Sequence, residues 1–390
     1  MTPVCCCGFE CGVTGPHWST GGASDFVTDP ARSGSRALRV YNQSCSLNVP
    51  MTSVTVGRMY VRFAALPTAD FYIMAVNAGS SKYPGIYFKL SDSKLYTAIA
   101  GGVFGASGIS VTTGVWYRID VRINTSANPW LIDGAVDGIS LAQLSTVQVA
   151  DTPSTFSLTP IAGWGATTAD LSFDDFILSQ TSADYPIGSG YVNHFVPTSD
   201  GTHNVAGGND FERGTGGVDI TNATIDSYLL VDDIPMDDTT PDANDFITCI
   251  APPNSTDYTE NKFGPAPGIS IPSSGPRAVD VVTATHQFGT GVGVSALKLN
   301  DNGTEDTVWS LSGAGETTIR YGRKHYAAMV GGGAWTAARF NNLRIRFGYS
   351  SDPNPDQYFD CAMIEAEFAP AAAKQGSYKV SQAIKRASFY

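Results

Sequence analysis

Residues Trp116–Asn124, WYRIDVRIN, alternate apolar and polar side chains more clearly than any other stretch of the sequence. In an extended chain successive side chains point to opposite faces. One face would carry Tyr117, Ile119, Val121 and Ile123, and the other would carry Trp116, Arg118, Asp120, Arg122 and Asn124. The alternation predicts a β-strand with one buried face.

Similar short segments, separated by Pro, Gly, Asn and Ser, run along most of the chain. Residues 1–181 contain Ser35–Tyr41, Met59–Phe63, Phe71–Val76, Gly85–Leu90, Leu131–Val136 (with a hairpin predicted at Asp133-Gly134) and Leu171–Leu178. Residues 191–369 contain Asp226–Val231, Asp245–Ile250, Arg277–Thr283, Val294–Leu299, Asn342–Tyr349 and Tyr358–Phe368. Many short strands with turns between them are typical of sandwiches.

We therefore predict an all-β protein with two antiparallel β-sandwich, jelly-roll-like domains. They would span residues 1–181 and 191–369, joined by a Pro- and Gly-containing linker at 182–190 and followed by a tail at 370–390. The linker carries few signs of packing, so we expect proteolysis there to release an N-terminal domain.

Composition narrows the classes of function. Charged residues make up only 15%, and the 41 glycines and 22 prolines suit a turn-rich fold. The net charge of −12 disfavours nucleic-acid binding. No apolar run is long enough for a membrane helix, so no membrane insertion is expected. The N-terminus does not resemble a secretory signal, which favours a virion protein assembled in the host cytoplasm.

Seven cysteines leave at least one unpaired within the chain. They are Cys5, Cys6, Cys7, Cys11, Cys45, Cys249 and Cys361. The spacing lacks the paired C-x2-C knuckles of a zinc site. Thiols or disulfides packed as small apolar groups are the favoured interpretation, and their redox state is left open.

Two parts of the sequence resemble known protein families. Gly8-Phe9-Glu10, Ser33–Val40 (SGSRALRV), Trp116–Asn124, the LIDGAVDG hairpin and SFDDFIL together resemble a concanavalin A-like, laminin-G-like jelly roll. Val231–Ile247, Ala278–Phe288 and Ala334–Ser351 resemble a domain of tailed-bacteriophage tail and other virion proteins. The first resemblance implies glycan binding or a structural sandwich, and the second implies location in a virion.

These resemblances imply a structural protein on the surface of a tailed-phage virion, tail-associated or a fibre component, that contacts host glycans. A capsid decoration or head-fibre protein is the alternative, and a carbohydrate-binding or carbohydrate-cleaving module is the alternative of another class. No catalytic residues or cofactor are expected. The expected partners are other virion proteins and copies of this chain, with a trimer favoured by analogy.

Carboxylates supply the metal candidates. Asp174 and Asp175 are adjacent within a strand, and Asp232, Asp233, Asp237 and Asp238 lie in an aspartate-rich stretch. Clustered carboxylates suit Ca²⁺, but the calcium-loop spacing is absent and Asp also caps turns. For the pair we expect one exposed side chain and one bonded to backbone. Glu365 and Glu367 are expected on the exposed face of their strand.

Aromatic and basic residues supply the binding candidates. Trp18, Trp130, Trp164 and Trp335 lie at predicted turns or strand ends, where they would either bind a glycan or interface or cap a sandwich. The basic tail would dock on a neighbouring subunit or fray freely. Its candidate contact residues are Tyr378, Lys379, Ile384, Lys385, Arg386, Phe389 and Tyr390.

Overall fold

The fold was analysed in a computed structural model of the whole chain. The structure describes residues 3–12, 18–20, 24–41, 44–79, 82–99, 102–158, 169–204, 211–213, 220, 227–232, 247–249, 258–265, 271–287, 293–313, 319–349 and 357–370.

Antiparallel strands dominate these residues, and the all-β prediction is confirmed. The N-terminal part contains β1 (Pro3–Cys7), β2 (Trp18–Thr20), β3 (Ser24–Val27), β4 (Ala37–Tyr41), β5 (Cys45–Leu47), β6 (Val54–Ala65), β7 (Phe71–Asn77), β8 (Gly85–Lys89), β9 (Lys94–Ile99), β10 (Val103–Phe104), β11 (Ile109–Ser110), β12 (Trp116–Asn124), β13 (Trp130–Val136), β14 (Ile139–Ser140), β15 (Leu144–Thr146), β16 (Thr155–Leu158) and β17 (Asp170–Ser179).

These strands form two sheets. The first has the order β14-β13-β12-β6-β17-β4-β3, with β1 paired to β17 and β15 to β13. The second has the order β10-β9-β8-β7-β16-β5-β2, with β11 paired to β9. Their facing side chains form one continuous hydrophobic core, as in a sandwich.

The strand that predicts the fold is confirmed with its bounds unchanged. Ile119, Val121 and Ile123 of β12 are fully buried in the core. The alternation predicts that the opposite face of β12 is exposed to solvent, but Asp120 on that face is also buried. Its carboxylate accepts the backbone N–H of Gly188 at 3.0 Å, so the segment after β17 covers this face.

The predicted hairpin turn at Asp133-Gly134 is wrong. Both residues lie inside β13, opposite Arg122 and Val121 of β12. The chain turns instead at Asp137-Gly138, where φ is +53° and +85°. Two consecutive positive φ values are what a two-residue type I′ hairpin requires, and the segment LIDGAVDG contains the same Asp-Gly pair twice.

The C-terminal part contains ten strands within the described residues. They are β18 (Tyr191–Asp200), β19 (Phe211–Arg213), β20 (Ile247–Cys249), β21 (Tyr258–Pro265), β22 (Ala278–Gln287), β23 (Gly293–Asp301), β24 (Thr304–Gly313), β25 (Arg320–Tyr326), β26 (Arg344–Tyr349) and β27 (Gln357–Phe368). Three short helices are described: 3-10 turns at Ser182–Asp184 and Ser227–Leu230, and α1 (Ala337–Phe340). The second 3-10 turn corrects the predicted strand Asp226–Val231. No described helix has the length and apolar character needed to cross a membrane.

One sheet holds these ten strands. Its path is β19-β20-β27-β18-β21-β26-β23-β24, and β22 pairs with both β27 and β25. A core of its own packs Phe195, Leu297, Phe347, Ile364 and Phe368 together with Trp335 and Phe340 of the α1 region. In the described part of the chain, this second core shares no residue with the first.

Strand β1 connects the two parts. It pairs with β17 of the first sheet and also packs against β22, β25 and β27. A fully buried ion pair crosses the same boundary: Arg58 Nη1 of β6 lies 2.8 Å from Glu367 Oε1 of β27. Buried charges need partners because leaving water is costly, so this contact fixes one arrangement of the two parts.

The segment 182–190 is not an unpacked linker. Ile187 is buried against Cys6 and Val192, and the carbonyl of Gly190 accepts a bond from Arg32 at 3.1 Å. The expected release of an N-terminal domain by proteolysis is therefore revised. We now expect the native chain to resist cleavage between residues 182 and 190.

Replacing Glu367 by Gln should destabilise the protein by about 3–5 kcal/mol, because the fully buried Arg58 then loses its charged partner. Chemical denaturation followed by circular dichroism measures this. Glu305→Gln is the matched control: Glu305 is a partly exposed glutamate in the same sheet, and it should cost about 0–1 kcal/mol. Equal effects of the two substitutions would contradict a joint held by this buried ion pair.

Candidate functional site

Asp174 and Asp175 are both fully buried, so the expectation of one exposed carboxylate is wrong. A bulge in β17 separates Asp174 from Ile177, and Asp175 adopts φ +52°. This conformation turns both carboxylates to one side. Burial, and then the neighbouring Asp175 carboxylate, raise the pKa of Asp174 well above its ordinary value.

The pair holds one loop in place. Asp174 Oδ2 accepts the N–H groups of Arg32 at 2.7 Å and Ser33 at 3.2 Å. Asp175 pairs with the Arg32 guanidinium and accepts the Val192 N–H at 2.5 Å. These partners are hydrogen-bond donors, whereas Ca²⁺ requires six to eight oxygen ligands. The contacts therefore support a structural role for the pair.

Glu10 holds the same loop, residues 32–36, by hydrogen bonds. It is fully buried and accepts N–H groups of Ser35 and Arg36 at 2.9–3.2 Å. Gly34 has φ +61°, and a Cβ there would lie 1.9 Å from Glu10 Oε1. Only glycine fits at this close approach, which explains the SGS sequence structurally.

Several candidate residues lie outside the described part of the chain. They are Asp233, Asp237, Asp238, Trp164 and the tail residues Tyr378, Lys379, Ile384, Lys385, Arg386, Phe389 and Tyr390. Asp232 is described and partly buried. The calcium and tail-docking hypotheses at these positions stay predictions.

The other three tryptophan candidates are core residues. Trp18, Trp130 and Trp335 are 4%, 0% and 4% exposed, which leaves no ring face for a ligand. Trp130 Nε1 donates to the Val149 carbonyl at 3.0 Å, and Trp335 Nε1 donates to the Tyr326 carbonyl at 3.1 Å. The interpretation that they cap their sandwiches is favoured.

Glu365 and Glu367 are fully buried, so their expected place on an exposed strand face is wrong. Both lie on the side of β27 that faces the N-terminal part. Glu367 pairs with Arg58 and Arg277, and Glu365 pairs with the buried Arg323. Their alternation with apolar residues marks two buried faces instead of one.

A second polar cluster surrounds Glu260 on β21. Glu260 is fully buried and accepts bonds from Arg344 at 2.7 Å, Arg346 at 2.5 Å and Asn300 at 2.8 Å. Burial opposes ionisation, but the bonds from these three side chains lower the pKa of Glu260. Arg344 and Arg346 belong to the neighbouring strand β26 and Asn300 to β23, the next strand beyond it, so this cluster supports the sheet.

A depressed folded-state pKa adds stability above the unfolded pKa, about 4.3 for Glu, and that stability is lost as pH falls through the folded value. Glu260→Gln should therefore cost about 1–3 kcal/mol at pH 7. It should also flatten the loss of stability on acidification below about pH 5. Denaturation midpoints at several pH values test this, and an unchanged acid slope would contradict it.

The outer face of the second sheet carries the arrangement best suited to binding. Cross-strand neighbours there form an aromatic row: Tyr72 pairs with Tyr87, which pairs with Tyr96. A parallel row is formed by small residues. In order across the sheet it is Ser19, Ser46, Ser157, Ala75, Gly85 and Ala98.

The two rows lie two residues apart along β8 and β9, roughly 6–7 Å, and three residues apart along β7, where a bulge follows Tyr72. The serines continue the small-residue row onto β16, β5 and β2, beyond the last ring of the aromatic row.

The rings stand beside the small residues Ala75, Gly85 and Ala98, and we call this arrangement the trough. Its floor is buried, so a ligand could reach only its rim. Ser46 and Ser157 hydroxyls lie 3.0 Å apart along the small-residue row, and each retains further hydrogen-bonding capacity. The trough is on the side opposite the core, because Phe71, Ile73, Ile86 and Phe88 point inward.

The aromatic wall extends to the surface through two rings. Tyr87 meets Phe104 at 5.1 Å and Tyr72 meets Tyr83 at 6.4 Å between centroids. The inner tyrosines are 3–9% exposed, whereas Tyr83 and Phe104 are partly exposed. Lys89 Nζ lies 5.4 Å from the Phe104 centroid. The accessible rim therefore combines aromatic rings, an ammonium group and hydroxyls.

Sequence inspection does not single out these residues. The signal is present as alternation in Phe71–Asn77, Gly85–Lys89 and Lys94–Ile99, whose second face carries one tyrosine in each strand. Without the register, the tyrosines cannot be distinguished from ordinary core residues.

Comparisons with known proteins find structural likenesses over part of the chain and no sequence family. No protein-family model matches the chain, and no curated protein matches it. The protein is similar in structure to a cellulose-induced protein, Cip1, with TM-score 0.38, 13% identity, and coverage of 45% of this chain and 97% of that one. Domain 4 of AbnA, an extracellular arabinanase from Geobacillus stearothermophilus in complex with arabinotriose, gives 0.35, 11%, 46% and 92%.

Trypanosoma rangeli sialidase gives a TM-score of 0.32 at 9% identity, covering 42% of this chain and 30% of the sialidase. At these identities and TM-scores the likenesses carry no conclusion about ligands or activity. A functional conclusion therefore has to rest on the geometry of the trough.

Proposed function

We propose that the protein is a non-catalytic binding protein whose N-terminal sandwich holds glycan chains at the accessible rim of the trough on its outer sheet. The observation that carries this proposal is the pair of partly exposed rings, Tyr83 and Phe104, that extend the buried Tyr72–Tyr87–Tyr96 row to the surface beside Lys89. Aromatic rings offer apolar faces to sugar rings, and hydroxyls bond the sugar hydroxyls. The net charge of −12 favours neutral glycans over anionic polymers.

A binding role fits the carboxylates near the trough better than catalysis. Glycosidases generally place two carboxyl groups on either side of the scissile bond. Here Asp92 accepts the Tyr96 hydroxyl at 2.5 Å, and Asp70 accepts the Leu90 N–H at 2.7 Å. Each has a structural task at a strand end, so we propose no enzymatic activity.

Replacing Phe104 or Tyr83 by Ala should weaken glycan binding by roughly 5–150-fold, since one stacked aromatic contributes about 1–3 kcal/mol. A glycan array with the full chain identifies ligands, and calorimetry measures the loss. Tyr41→Ala is the control, because Tyr41 is a partly exposed tyrosine on the other sheet. Loss of binding in the control, or unchanged binding in both trough variants, would refute the trough as the site.

A second proposal concerns the location and partners of the protein. The resemblance of the second block supports a structural protein of a tailed-phage virion, in a tail, fibre or capsid decoration. The buried Arg58–Glu367 ion pair and the bond from Arg323 to the Cys6 carbonyl, both between the two parts, support a rigid body suited to such a structural task. The proposed partners are other virion proteins and copies of this chain, and the proposed location is the virion.

Deleting residues 371–390 should reduce oligomer formation and incorporation into particles. The tail contains Lys374, Lys379, Lys385 and Arg386 without an acidic residue, and the body is acidic, so opposite charge would favour its docking. Light scattering and quantification of purified particles measure the effect. Unchanged assembly of the truncated chain would show that the tail has no docking role.

A further inference from the structure

We propose that Cys6, Asp280 and His325 bind a zinc ion at the joint between the two parts of the protein. One ligand atom from each side chain lies within 4.8 Å of the others. Thiolate, carboxylate and imidazole are the ligands zinc takes in proteins, and three of them leave a fourth tetrahedral position for water. A thiolate also favours Zn²⁺ over Ca²⁺ or Mg²⁺.

The backbone brings the three ligands together by register. Asp280 of β22 is directly opposite His325 of β25, so their Cβ atoms are about 5 Å apart on one face of the sheet. Cys6 belongs to β1, which lies in the N-terminal part, where Cys6 pairs with Ile177 of β17. The Cys6 N–H donates to Asp280 Oδ2 of the C-terminal part at 3.4 Å. The ligands thus come from both parts of the chain.

Arg323 orients the carboxylate. Its Nε donates to Asp280 Oδ2 at 2.8 Å, which leaves Oδ1 towards His325 Nδ1. Hydrogen bonds from neighbouring groups to a ligating carboxylate are a usual feature of metal sites. Arg323 also pairs with Glu365, whose Oε1 accepts the N–H groups of Gly8 at 3.1 Å and Glu10 at 3.2 Å.

The buried charges near the three ligands are negative in sum when His325 is neutral. Asp280 and Glu365 contribute two negative charges and Arg323 one positive charge, all fully buried or nearly so. A Cys6 thiolate with Zn²⁺ brings the sum of this group to zero in that state. Binding would displace the thiol proton to solvent.

Access to the site is through His325, whose side chain is 14% exposed while Cys6 and Asp280 are buried. Its Nε2 is buried without a hydrogen-bond partner among the described residues. An ion held here would join β1 to the β22–β25 pair. Since the unfolded chain has no preformed site, binding would stabilise the folded protein.

The test uses the full-length protein with Zn²⁺ and Co²⁺ as probes. We expect one zinc per chain by elemental analysis after dialysis, and a thiolate-to-cobalt charge-transfer absorption on Co²⁺ substitution. X-ray absorption at the zinc edge should show one sulfur and otherwise nitrogen or oxygen ligands. A chain without stoichiometric zinc, a spectrum lacking sulfur, or one with several sulfurs from Cys5, Cys7 or Cys11 would overturn the proposal.

Variants separate this site from other thiols. Cys6→Ala and His325→Gln should each weaken metal binding at least roughly tenfold, and Cys6→Ala should remove the cobalt charge-transfer absorption. Cys45→Ala is the control, because Cys45 is a buried thiol in the core of the N-terminal sandwich. Retained absorption in Cys6→Ala, or its loss in Cys45→Ala, would also overturn the proposal. If a variant fails to fold, the cobalt absorption and the zinc-edge X-ray absorption of the unsubstituted protein still test the proposal.

Discussion

Arg323 is the group on which the joint depends. Its guanidinium is 1% exposed and bonds the carboxylates of Asp280 and Glu365 and the carbonyl of Cys6. An unpaired guanidinium in this position would be strongly unfavourable, because removal of one partner from a buried pair costs several kcal/mol. The carbonyl belongs to the N-terminal part and the carboxylates to the C-terminal part. Arg323 is therefore fully satisfied only when the two parts are in contact.

The same constraint explains the unusual composition of β27. Ile364, Ala366 and Phe368 point into the core of the C-terminal sheet, and Glu365 and Glu367 point to the joint. In most antiparallel sheets the polar face is solvated. In this protein β27 pairs with β18 and β22 and is covered by the N-terminal part, so its charged residues require Arg58, Arg277 and Arg323 as partners.

Local periodicity predicts most strands and fails where tertiary contacts decide. Trp116–Asn124 has a period of two and a regular environment, and its bounds follow from sequence. The Asp-Gly pair at 133–134 has the turn signal, but its pairing with Arg122 and Val121 keeps it extended. Burial of Asp174, Asp175, Glu365 and Glu367 could not be predicted, because their partners lie far away in sequence.

The two candidate sites also depend on contacts between residues that are distant in sequence. Tyr72 and Tyr87 belong to predicted strands, whereas Tyr96 belongs to β9, which the sequence analysis does not predict. Only the register of β7, β8 and β9 places the three rings in one row. Cys6 and His325 are 319 positions apart, so no local motif connects them. The C-x2-C spacing detects only zinc sites whose ligands share a loop. A site assembled from three strands has no such signature, and absence of the motif does not argue against it.

Placement of the two sites also separates their roles. The trough is on the second sheet of the sandwich, whereas β1 and the joint belong to the first sheet. The hydrophobic core lies between them, and interior packing is too dense to deform gradually. A ligand at the rim of the trough therefore meets a surface held by the sandwich core, while the joint sets how that sandwich is oriented on the C-terminal sheet. The proposed glycan site and the joint therefore lie on opposite faces of the sandwich.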